Sequence, residues 1–208
     1  MSLTVDYYFA PNSPWTYLGH RRFWDIARET DARINVLPVD LGGKVFPVSG
    51  GLPLTKRAPQ RQAYRLLELK RFSEWLSQPL NLQPKFFPVA CDDAARLIIA
   101  VDRKEGEEAA MRLAFGIMRA VWVEERNIAD EATLAELLTE ADLPASRIED
   151  AHSQGVQERY EADSQQAIDA GVFGAPSYVI EGEIFWGQDR LDFVERRLKA
   201  AQRQGNTE

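Results

Sequence analysis

The residues best placed for chemistry lie in one short segment, positions 10–19, which reads Ala-Pro-Asn-Ser-Pro-Trp-Thr-Tyr-Leu-Gly. Within it, Ser13 followed by Pro14 has the form of a helix N-cap with proline in the first helical position. The first turn of a helix has unpaired backbone N–H groups and a partial positive charge, which together stabilise an anion by roughly 0.3 to 1 kcal/mol. The segment therefore predicts an anion site at Ser13.

The elements around this segment are those that would hold it at the end of a strand. Residues 3–9 alternate as a strand does, residues 13–28 predict a helix, and residues 32–40 alternate again. We expect the second strand to run parallel to the first, because a helix connects them. Residues 42–53 contain many glycines and prolines and predict an irregular loop over the surface or over the site.

The middle of the chain has the apolar spacing of helices, and the end returns to the alternation typical of strands. Residues 55–170 are predicted to be helical, with helices at 59–78, 92–103, 107–125, 130–141 and 154–170 and a short one opened by Pro144. Strands return at 177–180 and 184–186, and a final helix follows. The order predicts a sheet interrupted by an inserted helical domain, with disorder only at residues 202–208.

Composition excludes several classes of partner. The chain has 208 residues, of which 45% are hydrophobic and 27% charged, so it can bury a core as one domain or as one domain with a large insertion. A net charge of -7 and a pI near 5.0 argue against nucleic acid. No apolar run is long enough to span a bilayer, and Met1 leads into the first strand without a signal-peptide pattern. We therefore expect no membrane partner and a cytoplasmic location.

Intrinsic thiol and metal chemistry have little support in the sequence. The single cysteine, Cys91, cannot form an internal disulfide, and no activating partner accompanies it. The two histidines, His20 and His152, are far apart in sequence, so no metal site is expected. His20 lies two helical turns after Ser13, too far along the axis to act as its base, and is expected to be structural or exposed.

Two turns together resemble a known family. The first is Ser-Pro-Trp-Thr at 13–16, and the second is Gly-Val-Phe-Gly-Ala-Pro at 171–176, which leads into the predicted hairpin and Trp-Gly-Gln-Asp-Arg at 186–190. Over nearly the whole chain, the sequence resembles the 2-hydroxychromene-2-carboxylate isomerases and their relatives, the kappa-class glutathione transferases.

This resemblance implies a fold and a division of the chain. The fold is α/β and thioredoxin-like, built like the disulfide oxidoreductase DsbA, with a large all-helical insertion. Residues 1–50 and 171–208 would form the thioredoxin-like domain, and residues 51–170 the inserted helical domain. Relatives form dimers, so the resemblance also implies a homodimer.

The resemblance further implies glutathione as the cofactor. The oxidoreductases carry Cys-x-x-Cys at the first turn, and because this chain has no cysteine there, glutathione would supply the thiol. Ser13 would donate its hydroxyl to the glutathione sulfur, and Ala175 would pair with the cysteinyl main chain beside a cis Pro176. Gln188 and Asp189 would hold the γ-glutamyl end, where an acidic side chain can bind the α-ammonium group. Purely structural alternatives are an N-cap for Ser13, a turn proline for Pro176 and a helix cap for Asp189.

The substrate side of the site is less defined by the sequence. Arg61 and Tyr64, together with Arg71, match the family's basic and aromatic pattern and are the candidates to bind a carboxylate of the substrate or of glutathione. Trp15 and Tyr17 either line an acceptor pocket or belong to the core, where aromatic residues of a buried helix usually lie.

Three functions remain open at this stage. The first is a glutathione-dependent isomerase of the 2-hydroxychromene-2-carboxylate type, which acts in the degradation of aromatic compounds through reversible thiolate addition. The second is a kappa-like glutathione transferase or peroxidase that acts on another electrophile. The third is a non-catalytic thioredoxin-fold binding or chaperone module. The loop at residues 47–51 departs from the isomerases, which typically have a lysine and then a Gly-Asn pair there, and this departure leaves the substrate open.

Overall fold

Both ends of the chain contribute strands to one four-stranded sheet. In the computed structural model, which describes residues 3–205, the strands are β1 (Thr4–Phe9), β2 (Arg33–Pro38), β3 (Ser177–Ile180) and β4 (Glu183–Trp186). Their order is β2-β1-β3-β4. The β1 and β2 strands are parallel, whereas β3 is antiparallel to both β1 and β4. The predicted parallel pair and the shared sheet are therefore confirmed.

Helices cover both faces of this sheet. They are α1 (Pro14–Glu29), α2 (Phe46–Ser49), α3 (Pro59–Trp75), α4 (Asp92–Glu105), α5 (Glu107–Trp122), α6 (Glu131–Glu140), α7 (Arg147–Ala151), α8 (Gln154–Asp169) and α9 (Leu191–Gly205). Short turns of other helix types lie at Leu41–Val45, Leu54–Lys56 and Gln188–Arg190. In the part of the chain that the structure describes, no helix is both long and apolar enough to cross a bilayer.

Alternation along β1 divides the core between the two faces of the sheet. Val5, Tyr7 and Phe9 join one buried cluster with side chains of α1, α4, α5 and α9. Tyr8 points to the other face and packs in a smaller cluster that includes Ala167 of α8 and Val172. The first strand is thus covered on both sides, which fixes the position of the turn that follows Phe9.

The predicted irregular loop at residues 42–53 is the main error of the sequence-based assignment. It contains a turn of π-helix at Leu41–Val45 and the short helix α2. The Asp40 side chain caps the π-helical turn by accepting the Gly43 N–H at 2.6 Å. Gly50, at φ 76°, ends α2 in the left-handed region, where glycine is favoured. The glycines and prolines therefore begin and end short helices here.

The C-terminal end is more ordered than the sequence predicts. Helix α9 continues to Gly205, and the Gln202 side-chain amide donates to the Thr30 carbonyl at 2.6 Å. The prediction of disorder from residue 202 is therefore wrong for the first four positions, because a tertiary contact fixes the last turns of the helix. Residues 206–208 lie outside the described part of the chain.

The division into a thioredoxin-like domain and a helical insertion stays a prediction. One buried cluster contains side chains from both parts, such as Phe9 from the sheet and Ile98 and Ile117 from α4 and α5. Helix α3 is the exception to this close packing. Only Leu69 of its 17 residues is buried, and Tyr64, Leu67 and Trp75 are exposed.

Candidate active site

The turn after β1 places Ser13 at the N-terminus of α1, as the sequence predicts. The Ser13 N–H donates to the Ala10 carbonyl at 2.9 Å, and the serine backbone is extended, with φ -82° and ψ 126°. Its Oγ accepts the Thr16 N–H at 3.3 Å. A hydroxyl that accepts this bond still has its own proton to donate, and no acceptor for that proton lies among residues 3–205. The N-cap role and a donor role toward a ligand are therefore compatible.

A second hydroxyl group lies in the same helical turn. The Thr16 side chain is fully buried, and its Oγ1 has no hydrogen-bond partner within the described residues. Buried hydroxyls are normally paired, because an unpaired one costs roughly 1 to 3 kcal/mol. The turn thus presents two hydroxyl groups with unused hydrogen-bonding capacity at a positively polarised helix end.

The loop before β3 lies beside the Ser13 turn. Tyr8 of β1 pairs with Ser177 of β3 in an antiparallel register, so continuing the two chains past this pair brings Ala175 toward Ala10. The peptide bond between Ala175 and Pro176 is cis, as the resemblance implied. The Gly187 N–H donates to the Pro176 carbonyl at 2.9 Å, which links this loop to the end of β4.

Gln188 is held against α1 by two contacts. The Arg22 Nη1 donates to the Gln188 side-chain Oε1 at 3.0 Å and to its backbone carbonyl at 3.3 Å. Gly19 allows this approach, because a Cβ at position 19 would lie 2.7 Å from the Cβ of Gln188. Since the amide oxygen faces Arg22, the Nε2 group is the free donor, and no acceptor for it occurs in the described chain.

Asp189 follows in the same short turn and is half exposed. Its Oδ2 is 2.8 Å from the Nη1 of Arg190, the next residue along the chain. An exposed ion pair of this kind contributes little to stability, so the carboxylate is readily shared with a second cation. The bond from Gly187 to the Pro176 carbonyl places this turn next to the cis-proline loop, where Ala175, Pro176 and Gln188 are buried and Asp189 is exposed.

The structure favours the core role for Tyr17. Its side chain is 2% exposed, its hydroxyl donates to the Pro79 carbonyl at 2.9 Å, and its ring stacks on Phe115 with centroids 5.9 Å apart. Its interpretation as a pocket residue is corrected accordingly. Trp15 is partly buried and meets Phe72 of α3 edge to face, with ring centroids 6.0 Å apart.

The residues of α3 that were predicted to bind the substrate differ in whether another side chain already contacts them. Arg61 and Tyr64 are exposed. Arg61 has no ion-pair partner in residues 3–205, whereas the Tyr64 hydroxyl forms a hydrogen bond with Arg71. Arg71 is also exposed and forms an ion pair with Glu68 at 2.7 Å. Sequence reasoning missed Arg65, although its spacing of four residues from Arg61 was a signal that the two share one side of α3. Arg57 lies before this helix, in extended backbone.

His20 is a buried structural residue. Its Nδ1 lies 3.0 Å from the Tyr7 hydroxyl and its Nε2 lies 2.9 Å from the Met111 carbonyl. Because a carbonyl can only accept, we assign the proton to Nε2 and the acceptor role to Nδ1. Burial lowers the pKa of His20 to about 4, so the ring is neutral at physiological pH. It has no route to Ser13 as a base.

The single thiol lies close to the candidate site without being activated. The Cys91 side chain is partly buried beside the backbone N–H of Asn12, and the Asn12 side-chain amide donates to the Val89 carbonyl at 2.8 Å. Burial, together with the negative charges of Asp92 and Asp40, raises the pKa of the Cys91 thiol to about 12. This thiol therefore stays protonated at neutral pH.

These features define a class of protein. A sheet of order β2-β1-β3-β4, with a helix N-terminus after β1 and a cis-proline loop before β3, is the arrangement of the thioredoxin fold. The chain matches the model of the DsbA-like thioredoxin domain over residues 4–199 and belongs to that family.

Similar proteins confirm the resemblance seen in the sequence. The chain is 28% identical over 199 residues to a 2-hydroxychromene-2-carboxylate isomerase of Sphingobium xenophagum, covering 95% of this chain and 99% of that protein. A solved structure of a 2-hydroxychromene-2-carboxylate isomerase superposes with a TM-score of 0.82 at 25% identity, over 99% of this chain and 98% of that one.

A second solved structure shares the fold at lower identity. The cytosolic disulfide reductase DsbM from Pseudomonas aeruginosa, solved with GSH, aligns with a TM-score of 0.67 at 19% identity. The alignment covers 95% of this chain and 100% of that chain. At this identity the likeness establishes the DsbA-like fold alone.

Proposed function

We propose that this protein is a glutathione-dependent isomerase of the 2-hydroxychromene-2-carboxylate type that acts on a small aromatic carboxylate. The observation that carries the proposal is Ser13, whose hydroxyl proton is free at the N-terminus of α1, beside the cis bond that precedes Pro176. The similar isomerases support this reaction type. The absence of any cysteine in the turn, and of any besides Cys91 in the chain, argues against a dithiol oxidoreductase.

Ser13, Ala175, Gln188 and Asp189 are the residues that would hold a bound glutathione. Ser13 Oγ would donate to the sulfur, and the helix end adds favourable charge, so both interactions stabilise the thiolate over the thiol. Ala175 lies past the last paired residue of β3, so its backbone can pair with the cysteinyl main chain. Gln188 Nε2 would donate to the γ-glutamyl carboxylate, and Asp189 would bind the α-ammonium group.

When bound, glutathione supplies a thiolate that adds reversibly to the conjugated substrate, permits rotation about the resulting single bond and leaves again, so that none is consumed. Ser13 would stabilise the ionised form of the sulfur before the addition and again when the thiolate leaves. Arg61, a neighbouring cation on α3, orients the substrate carboxylate, and Trp15 and Tyr64 are the aromatic residues proposed to contact its ring.

The decisive experiment is an assay of 2-hydroxychromene-2-carboxylate with catalytic glutathione. The proposal expects many turnovers per glutathione and none in its absence. Stoichiometric consumption of glutathione would instead support a kappa-like transferase or peroxidase. If glutathione added to the protein gives no thiolate absorbance in the ultraviolet, both enzymatic proposals fail and a binding or chaperone module becomes the better interpretation.

Arg22 should matter for glutathione affinity although it is not expected to touch the reacting sulfur. The change Arg22→Gln removes the bond that orients Gln188, so we expect the dissociation constant of glutathione to rise about tenfold, which corresponds to loss of one charge-assisted hydrogen bond. Calorimetric titration with glutathione measures this. Arg21→Gln is the matched control, because Arg21 packs on Phe115 instead. Equal affinities for the two variants would contradict a positioning role.

We further propose a cytoplasmic homodimer. Reduced glutathione is abundant in the cytoplasm, where the proposed reaction needs it. The exposed side chains of Leu67 and Trp75 on α3 provide apolar surface that a second copy would cover. Sedimentation velocity of wild type and of Trp75→Lys tests this, since a monomeric wild type would contradict the proposal.

A further inference from the structure

Asn12, the residue before Ser13, is attached to a segment that lies far along the chain. Its side-chain Nδ2 donates to the Val89 carbonyl at 2.8 Å. Its backbone N–H lies beside the sulfur of Cys91, two residues further on. Asn12 is partly buried, so water competes less for these contacts than it would at an exposed residue. The residue that leads into the candidate active site is therefore held at both its backbone and its side chain by residues 89–91.

The same segment is bound to α1 on the other side of Ser13. The Gln78 Nε2 donates to the Tyr17 carbonyl at 2.9 Å, and the Tyr17 hydroxyl donates to the Pro79 carbonyl at 2.9 Å. We name residues 78–91 the brace. Its contacts lie one residue before Ser13 and one helical turn after it, so they enclose the turn that carries the serine.

The brace is itself supported by the helical part of the chain. The Asn81 N–H donates to the Trp122 carbonyl at 2.7 Å, and the ring of Phe87 packs on that of Trp122, with centroids 4.6 Å apart. Trp122 is the last residue of α5 and is fully buried. Because the brace is fixed to a buried helix, its hydrogen bonds to α1 restrain the Ser13 turn.

The bonds within the turn alone hold the Ser13 hydroxyl weakly. Its Oγ accepts the Thr16 N–H at 3.3 Å, beyond the range of about 2.7 to 3.2 Å that N–H···O bonds normally have. A serine side chain can take any of the staggered rotamers, and the backbone angles decide which is favoured. Fixing Asn12 fixes the peptide group that enters Ser13, and with it the direction of the hydroxyl proton that the cap leaves free.

We propose that Asn12 is a positioning residue, which holds the Ser13 hydroxyl in the orientation that donates to the sulfur of bound glutathione. It acts through Ser13 and is not expected to touch the ligand. A misplacement of about 1 Å at a reacting group can cost about 100-fold in rate, so a bond one residue away can affect the chemistry. The inference rests on the proposed function in taking glutathione as the ligand, whereas the brace can be tested without it.

The change Asn12→Leu tests this role, because leucine has nearly the shape of asparagine and removes the donor without adding charge. In a pH titration of the ultraviolet thiolate absorbance of the glutathione complex, the apparent pKa of the bound thiol should rise by about half a unit, a threefold change in its ionisation constant. This shift is smaller than the about one to two units expected for Ser13→Ala, since the hydroxyl remains and is only misoriented.

The combination of Asn12→Leu with Ser13→Ala separates action through the serine from any other effect. If Asn12 acts through the Ser13 hydroxyl, the double variant and Ser13→Ala should have superimposable thiol titrations. An effect that reached the thiol directly, or through a general loosening of the fold, would add to that of Ser13→Ala. An additive shift in the double variant would therefore overturn the inference.

Asn81→Leu is the matched control. Asn81 lies on the brace and its side-chain Nδ2 also donates to a backbone carbonyl, that of Val123 at 3.2 Å, but within the described residues no hydrogen bond joins it to α1. This variant should keep the wild-type titration. Gln78→Leu, which removes the contact beyond Ser13, is the second test variant and should shift the titration in the same direction as Asn12→Leu. Equal shifts in Asn12→Leu and Asn81→Leu, or none in Asn12→Leu, would contradict the positioning role.

Amide hydrogen exchange distinguishes a failure of this inference from a failure of the proposed function, because it needs no glutathione. The Thr16 N–H, which bonds to Ser13 Oγ, should exchange several-fold faster in Asn12→Leu than in wild type and should be unchanged in Asn81→Leu. If wild type gives no thiolate absorbance but this difference is found, only the proposed function is refuted. Unchanged exchange in Asn12→Leu would refute the brace itself.

Discussion

The change Ser13→Ala should lower turnover about 10- to 100-fold while changing the affinity for glutathione by no more than about threefold. Loss of the hydroxyl donor is expected to raise the pKa of the bound thiol by one to two units, and the thiolate fraction at neutral pH falls in proportion. The contacts of Ala175, Gln188 and Asp189 with the rest of the tripeptide would persist. The effect should therefore fall on the chemical step and not on binding.

The measurement is ultraviolet thiolate absorbance of the glutathione complex as a function of pH, for wild type and Ser13→Ala, beside steady-state turnover. Because Ser13 also caps α1, its loss should cost about 1 kcal/mol of stability. Asp130→Ala controls for a loss of stability at a remote helix start, since Asp130 precedes α6 and its carboxylate accepts the Thr133 hydroxyl at 3.3 Å. Its replacement should leave the thiolate titration unchanged. Superimposable titration curves for wild type and Ser13→Ala would refute the role of Ser13.

The second large effect is on stability, where His20 should contribute about 3 kcal/mol that depends on pH. Its pKa is about 4 in the folded chain against 6.5 in the unfolded chain, and each unit is worth about 1.36 kcal/mol. Between these values the unfolded chain binds the additional proton. The contribution is therefore complete above about pH 6.5 and is lost as pH falls toward 4.

Other groups act in the opposite direction over the same range. Burial raises the pKa of the Asp163 carboxyl to about 6, so this residue favours the folded state more as pH falls. The test is therefore the difference in unfolding free energy between wild type and His20→Gln, measured in urea from pH 7 to about pH 4.5. The difference should shrink as pH falls. The control His152→Gln removes an exposed histidine paired with Glu131 and should keep the wild-type dependence.

Nuclear magnetic resonance provides a check that needs no variant. The imidazole nitrogen shifts of His20 should show the proton on Nε2, which faces the Met111 carbonyl, and should not titrate above about pH 5. A titration of His20 near pH 6.5 in the folded protein would contradict both the buried geometry and the stability argument.

Local sequence chemistry was sufficient to locate the Ser13 turn. A strand, two breakers and a Ser-Pro pair predict an N-cap, and the capping bond to the Thr16 N–H is of this kind. The cis state of Pro176 was different, because only about 5–6% of X-Pro bonds are cis and nothing local distinguishes them. It could be expected from the family alone.

Burial was harder to predict than helix position. The periodicity of α3 gave the helix correctly, but Tyr64, Leu67 and Trp75 on it are exposed, while Tyr17 of α1 is buried. Periodicity identifies an apolar stripe and not the surface that covers it. The aromatic contacts of Arg65 were also beyond the sequence, because Phe87 and Trp122 are distant along the chain and meet only in the folded state.

The protonated state of Cys91 has a practical and a chemical consequence. Since burial and neighbouring carboxylates keep its pKa near 12, the protein has no reactive sulfur of its own at neutral pH. Any thiolate absorbance in the glutathione experiments then belongs to the added tripeptide, and alkylating reagents should spare the folded chain. In the proposed reaction, the protonated Cys91 thiol would not compete with glutathione for an electrophilic substrate, so covalent modification of the protein next to Asn12 would be avoided.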